Sequence, residues 1–270
     1  MSVPRTRAMT LSVVIPARNE ADNIGPTLDA LRERLTEHAI PYELLVVDDG
    51  SSDSTPTVVE ARAAVDPGVR LLRNPGPHGF GRAIRYGLER FTGDAVVIAM
   101  ADASDDPADV VRYYYVLRDE ADCAFGSRFV RGGGTIDYPR FKLAINRLAN
   151  LFIRMLFRGG YNDTTNAFKG YRADVIRGCQ PLISPHFNLT VELPLKAMVR
   201  GYTHRIVPIT WRNRKSGTSS LRLDEQGSRY LFIVLHVWLE SLLTRGDYRR
   251  AAGERFEPWG EPTSQLERSA

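Results

Sequence analysis

The sequence predicts an α/β protein, a mainly parallel central sheet with helices on both faces. Three observations carry that prediction. Short apolar, β-branched runs recur through the first half of the chain and stop abruptly at polar residues, as strands buried on both faces do. Helical segments separate these runs in strict alternation, the pattern of a doubly wound sheet. A chain of 270 residues with 43% apolar composition is long enough to bury one large core or two modest ones.

Leu11–Pro16 is the first strand, and Asn19 or Asp22 caps a helix running to about Thr36. Tyr42–Val47 is the second strand. Asp53 or Ser54 caps the next helix, which carries Pro56 in its first turn, where a missing N–H leaves no bond unmade. Val69–Arg73 is a third, short strand, and the glycine-rich turn Asn74–Arg82 opens a helix to about Phe91. Ala95–Met100 is the fourth strand, a helix begins near Pro107, and Asp122–Phe125 is the fifth strand. The pattern then changes: a long helix at Phe141–Phe157, a short strand at Ala167–Tyr171, a helix at Leu189–Val199, a strand at His204–Ile209 and a helix at Ser228–Leu243. The chain thus divides into a flexible N-terminus (1–10), a main domain (11–225), an amphipathic helix (226–246) and a polar tail (247–270) expected to be disordered.

Ligands of such sheets bind at the carboxyl ends of the strands. Pro16, Ala17, Arg18, Asn19 and Glu20 lie at the first strand end, and Asp48, Asp49 and Gly50 at the second. Carboxylates repel phosphate but suit ribose hydroxyls and the N–H edge of a base, so the pair of strand ends reads as a nucleotide pocket with the phosphates handled elsewhere. Gly79-Phe80-Gly81 is a weak dinucleotide signal, because that motif belongs directly after the first strand. The fourth strand ends in MADASDDP, Met100–Pro107, with Asp102, Asp105 and Asp106 within five residues. Such a cluster is costly unless something positive neutralises it, and hard cations want oxygen ligands. Asp105 or Asp106 also serves as the cap of the helix at Pro107.

The formal charge is only +4, but it is segregated. Tyr138–Asn162 and Leu193–Leu223 contain no Asp or Glu and many Arg and Lys, which suggests an anionic partner. No nucleic-acid-binding module is recognisable. Cys123 and Cys179 form neither a zinc pattern nor a disulfide framework, which fits a reducing, cytosolic location. The N-terminus lacks the apolar core of a signal peptide, and no apolar run reaches the ~20 residues a spanning helix needs.

VVIPARNE (Val13–Glu20) and LLVVDDGSSD (Leu44–Asp53) resemble the opening of the family 2 glycosyltransferases. Later motifs narrow the resemblance, over Leu11–Leu223, to the polyprenyl-phosphate sugar synthases, the branch of dolichol-phosphate mannose synthase. The resemblance implies a GT-A type nucleotide-diphospho-sugar sandwich and inverting transfer of a sugar from a GDP- or UDP-sugar to a polyprenyl monophosphate, assisted by Mg2+ or Mn2+. By resemblance Asp48 binds base or ribose, with Pro16 and Glu20 lining the pocket. Gly79 lets a helix start pass near the nucleotide, where Arg82 adds positive charge. The family's Asp-x-Asp, aligned without gaps through Pro107, falls on Ala101 and Ala103. Either the loop is reshaped so that Asp102 and Asp105 hold the metal, the reading preferred here, or the site is poor in metal. Arg128, after Gly126-Ser127, and Arg140, with Asn146 beyond it, match the branch's phosphate- and acceptor-binding positions. NDTTNAFKGYR (Asn162–Arg172) resembles the acceptor-side Asp-x-x-Ser-Gly-Phe motif, with Asn166-Ala167 in place of Ser-Gly. RNRKSGTSSL (Arg212–Leu221) resembles the loop that closes over the diphosphate, with Arg212, Arg214, Lys215 and Ser219 as candidates.

A phosphate acceptor is already anionic, so catalysis needs positioning and charge neutralisation rather than a general base. Asp102, Asp105 and Arg128 are the catalytic candidates. Arg147, Asn150, Arg154 and Arg158 make a polar stripe on an otherwise apolar helix, which reads as an interfacial helix on the cytoplasmic face of a membrane. Arg229, His236, Glu240 and Thr244 mark a second stripe, within Tyr230–Leu243. A glycan or soluble acceptor, and a non-catalytic nucleotide-sugar-binding subunit, are the alternatives.

Overall fold

A computed structural model describes residues 8–212, 223–251, 256, 257 and 259. Its core is a seven-stranded sheet in the order β3-β2-β1-β4-β7-β5-β8. The strands are β1 (Leu11–Ala17), β2 (Tyr42–Asp48), β3 (Val69–Arg73), β4 (Ala95–Ile98), β5 (Cys123–Ser127), β7 (Lys169–Arg172) and β8 (His204–Pro208). All neighbours pair in parallel except β7, which runs antiparallel to both β4 and β5. Gly134–Ile136 (β6) and Thr210–Arg212 (β9), short strands absent from the sequence expectation, form a separate two-stranded sheet.

Alternate strand residues face opposite layers, because the side-chain period of a strand is two. Val13, Ile15, Leu44, Val46 and Val97 face one apolar layer with α1 (Ala21–Glu37), α2 (Thr55–Ala63) and α4 (Pro107–Asp119). Val14, Leu45, Val47, Val96 and Ile98 face the other, with α3 (Phe80–Leu88), α6 (Ala173–Gly178) and α7 (Leu189–Val199). The expected α/β sandwich is therefore present, and its helices do cover both faces.

A third apolar cluster lies outside the sheet, where α5 (Arg140–Phe157) and α8 (Leu223–Leu243) pack on α7. Asp106 caps α4 by accepting from the Ala108 N–H at 2.9 Å, as one of the two sequence candidates. The start of α1 uses neither Asn19 nor Asp22: its N-cap is Glu20, whose side chain accepts from Asn23 Nδ2 at 2.8 Å rather than capping a backbone N–H. The last helix begins at Leu223 rather than near Ser228. The described part of the tail is docked, where disorder was expected. Arg250 reaches Asp122 at 2.9 Å, the Trp259 N–H reaches the Arg118 carbonyl at 2.6 Å, and Arg172 lies over the Phe256 ring. No helix among the described residues is long and apolar enough to cross a membrane.

Candidate active site

β2, β1 and β4 are parallel neighbours, so their carboxyl ends open at one edge of the sheet. The Asp49 N–H donates to the Ala17 carbonyl at 2.9 Å, continuing the ladder past both strands. The chain beyond β1 is then held against the turn after β2. Asn19, at φ +57, accepts from the Ser52 N–H at 2.8 Å, and its own N–H reaches Ser51 Oγ at 3.0 Å. The Glu20 N–H donates to Thr55 Oγ1 at 2.8 Å. Pro16 and Ala17 are buried beneath this rim, and Arg18 is exposed on it.

The two aspartates of β2 do different work. Asp48, buried, accepts the Ser51 N–H at 3.2 Å. Asp49 accepts from Asn74 Nδ2 at 2.7 Å and the Gly79 N–H at 2.8 Å, and His78 Nδ1 lies 3.2 Å away. Asp49 thus holds the 74–79 turn. Gly79 has φ +150, and a Cβ there would stand 2.7 Å from the Pro185 carbonyl; at Gly81 it would stand 2.5 Å from that of Ser184. Both glycines admit the 184–186 loop. Arg82 donates to the His78 carbonyl at 3.0 Å. The His78 ring closes over Gly50, whose absent side chain would meet it at 2.7 Å. No sequence pattern pointed to His78; only its place in the glycine-rich turn hinted at it.

At the β4 end Ala101 is buried, its carbonyl accepting from Thr27 Oγ1 at 3.0 Å, and Ala103 is exposed at φ +56. The two metal candidates accept from different backbone N–H groups. Asp102 Oδ1 accepts the Ser104 N–H at 3.2 Å. Asp105 turns inward and accepts the Met100 N–H at 2.9 Å. Burial raises the Asp105 carboxyl to about 7, helped by the charge of Asp102 and opposed by the Met100 N–H and by Arg128. No group of three His, Cys, Asp or Glu among the described residues converges as an all-protein metal cage. The donor set is one or two hard carboxylate oxygens, which fits a cation that takes its remaining ligands from phosphates. The Arg212 N–H reaches the Ser104 carbonyl at 3.3 Å, so the basic 212–221 segment starts beside this turn. Arg214, Lys215 and Ser219 lie outside the described residues, as does the side chain of Arg140.

Arg128 is held in a buried ion pair. Its guanidinium binds Asp163 through two N–H···O bonds of 2.8 and 2.6 Å, and its backbone N–H adds a third at 2.9 Å. The side chains are 6% and 0% exposed. Arg128 also stacks near Phe129 and Tyr138, with its charged form favoured by Asp163 despite burial. Beside the pair, the buried ammonium of Lys169 donates to the carbonyls of Thr164 and Thr190, at 3.0 and 3.1 Å, and of Asn166. Burial brings Lys169 down to about 7, while Asp163 opposes the shift. Asn146 donates to Thr165 Oγ1 at 2.9 Å, and Asn150 accepts the Thr164 N–H at 2.6 Å. Asp163, Lys169 and Asn150 are therefore the supports of the 162–167 loop. Their signal in sequence was the motif Asn162–Arg172 itself, whose acid and base are a buried set rather than a surface.

An α/β sandwich with carboxylates gathered at adjacent parallel strand ends fits the frame of a nucleotide-sugar transferase. Residues 12–179 match the family described as Glycosyl transferase family 2, and the chain belongs to that family. It is 32% identical to the undecaprenyl-phosphate mannosyltransferase of Micrococcus luteus, covering 79% of this chain and 88% of that one. It is 31% identical to the polyprenol monophosphomannose synthase of Mycolicibacterium smegmatis, covering 77% and 80%. Among solved structures it resembles glucosyl-3-phosphoglycerate synthase from Mycobacterium tuberculosis in complex with Mn2+, uridine diphosphate and phosphoglyceric acid. There the TM-score is 0.61 at 22% identity, covering 92% of this chain and 82% of that one, a likeness of fold. The protein is a glycosyltransferase of the hexosyl-transferring kind.

Proposed function

We propose that the protein transfers a hexose, mannose being the first to test, from a nucleotide-diphosphate sugar to a polyprenyl monophosphate at the cytoplasmic face of a membrane. The observation that carries the reading is the strand order: β2, β1 and β4 set Asp48 and Asp102 on one sheet edge, and the basic segment from Arg212 starts beside it. Asp48 would bind ribose or base. Asp102 would hold a Mg2+ or Mn2+, with Asp105 behind it fixing the turn through Met100. When bound, that cation would neutralise the donor's phosphates. The acceptor phosphate brings its own negative charge, so the chain needs no base beside it. Asn146 on α5, and Thr165 on the loop braced by Asp163, would face the acceptor. The relatives named for undecaprenyl-phosphate and polyprenol substrates support the acceptor class.

The membrane side of the reading rests on α5. Phe141, Leu148, Phe152 and Met155 are exposed, with Arg147 and Arg154 among them, while Ile153 turns inward. Asn150, expected on the outer polar stripe, is buried against the 164–165 turn, so the outer face is more apolar than the sequence suggested. The test incubates purified protein, Mg2+ or Mn2+ and radiolabelled GDP-mannose, UDP-glucose and other nucleotide-sugars with polyprenyl phosphate. Label in the organic phase is the expected outcome. Label transferred only to a water-soluble acceptor would favour the glycan-acceptor reading.

A further inference from the structure

Lys169 is a buried cation that the proposed reaction does not use. It is 1% exposed on β7, between the apolar strand neighbours Ile98 and Phe125. Both oxygens of the nearby Asp163 are taken by Arg128. Lys169 Nζ donates instead to three backbone carbonyls: Thr164 at 3.0 Å, Thr190 at 3.1 Å, and Asn166. An ammonium has three N–H donors and no acceptor, so all three are engaged. A buried charge is costly unless it is bonded in this way, and a side chain that only filled this space would be apolar.

The three carbonyls share a purpose. Thr164 and Asn166 stand on either side of Thr165, and Thr190 belongs to the first turn of α7. Lys169 thus ties the residues flanking Thr165 to a helix packed on the sheet. Thr164 and Asn166 are buried, while Thr165 between them is half-buried. Its Oγ1 accepts from Asn146 Nδ2 at 2.9 Å and from Asn150 Nδ2 at 3.1 Å. With both lone pairs of that oxygen engaged, the hydroxyl has its proton left to donate.

We propose that Lys169 is a positioning residue for the acceptor: by holding the carbonyls on both sides of Thr165, it aims the Thr165 hydroxyl at the acceptor's phosphate. The inference rests on the polyprenyl-phosphate reading above and deepens it, giving that phosphate a neutral donor fixed by a buried cation. Protonation sets the grip. Burial lowers Lys169 to about 7, so the ammonium holds three carbonyls below that pH, and the neutral amine, with two N–H groups, holds two above it. The charged and titratable groups facing it are Asp163, which favours the charge, Arg128, which opposes it, and the Tyr161 ring, 5.7 Å from Nζ. On α7, Glu192 is paired with Lys196 at 2.8 Å.

The test measures label passed to polyprenyl phosphate from the nucleotide-sugar that wild type uses, in wild type, Lys169→Met, Thr165→Val and the double variant. Lys169→Met should raise the acceptor KM roughly tenfold, the order of one charge-assisted hydrogen bond, with donor Kd by calorimetry unchanged. Thr165→Val should do the same, and the double variant should be no worse than the weaker single, because both act through one hydroxyl. Between about pH 6 and about pH 8.5 the wild-type acceptor KM should rise relative to that of Thr165→Val; the acceptor's own second ionisation, near pH ~6, is common to both. If wild type labels no polyprenyl phosphate, the acceptor reading and this inference fall together. If it does, an unchanged acceptor KM in Lys169→Met overturns the inference alone. So do additive losses in the double variant, or an equal loss of donor affinity, which would mark a general loosening. Where Lys169→Met does not fold, the pH comparison decides, and parallel profiles in wild type and Thr165→Val overturn the inference.

Discussion

Replacing Asp163 by Asn removes the only carboxylate bonded to the buried Arg128 guanidinium among the described contacts. With side chains 6% and 0% exposed, solvent screening offers no discount. Removing one partner of such a pair costs ~3–5 kcal/mol, because the other charge stays buried without compensation. Lys169, already brought down to about 7 by burial, also loses the neighbour that favours its charged form, so the variant leaves the Arg128 cation buried without a carboxylate and Lys169 driven to give up its proton. The upper half of that range is expected, ~4–5 kcal/mol, or a Tm loss of roughly 8–20 °C at about 2–4 °C per kcal/mol for a domain of this size. Arg128→Met should cost less, about 2 kcal/mol, because Asp163 keeps a backbone N–H and Lys169 as counter-charge. The assay is urea denaturation of both single variants and the double variant, followed by circular dichroism. A coupling energy of ~2 kcal/mol or more is expected for residues in direct contact. A loss of under ~1 kcal/mol for Asp163→Asn, the figure for exposed pairs, would refute the argument that this pair is buried and structural.

Asp102→Asn should abolish metal-dependent turnover while the protein stays folded; wild-type activity would move the cation to Asp105 and Asp106. Asp48→Ala should raise the donor KM and weaken donor binding by calorimetry, with the metal requirement unchanged. Arg147→Glu/Arg154→Glu should reduce binding to anionic vesicles and activity on long-chain polyprenyl phosphate, spare donor binding, and remove most of the salt sensitivity of vesicle binding. Glu192 gives a pH dependence. Burial alone would raise its pKa, but Lys196, the Ser184 side chain and the Ile183 N–H outweigh burial and hold it below 4.5. A carboxyl with a depressed folded pKa stabilises fully above its unfolded value, so this contribution is present above pH ~4.5 and fades as pH falls through the folded pKa. Glu192→Gln should flatten that acid limb, read as Tm against pH.

The strand–helix alternation was legible because parallel strands buried on both faces announce themselves as apolar runs, and every strand of the first half lies within two residues of its expected bounds. The position of Asp48 and Asp102 at adjacent strand ends was legible for the same reason, since the end of each apolar run marks the end of its strand. Asp49 and Asp48 were indistinguishable in sequence, since only the cross-chain approach of Asn74 and Gly79 separates them. The pairing of Arg128 with Asp163 was not legible, because the two lie 35 residues apart. Asn150 and Glu240 were placed on outer stripes because helical periodicity finds a polar face without saying which polar residues are satisfied from within. The Arg200 that receives Glu240 belongs to another helix end, 40 residues upstream.

The antiparallel strand β7 also governs how the chain can be made. Its residues Lys169–Arg172 fill the gap between β4 and β5, bonding Ala95–Ile98 on one side and Cys123–Phe125 on the other. Until residue 172 is available, both of those strands are open edges, each an invitation to pair with another molecule. The first half is therefore no excisable module: a chain ending near residue 160 keeps the ends of β1, β2 and β4 but leaves β4 and β5 with open edges, and aggregation is its expected fate. On the ribosome the same logic keeps the gap between β4 and β5 open until residue 172 has emerged, and the sheet itself incomplete until β8 follows, which makes this a protein of non-local, slow assembly.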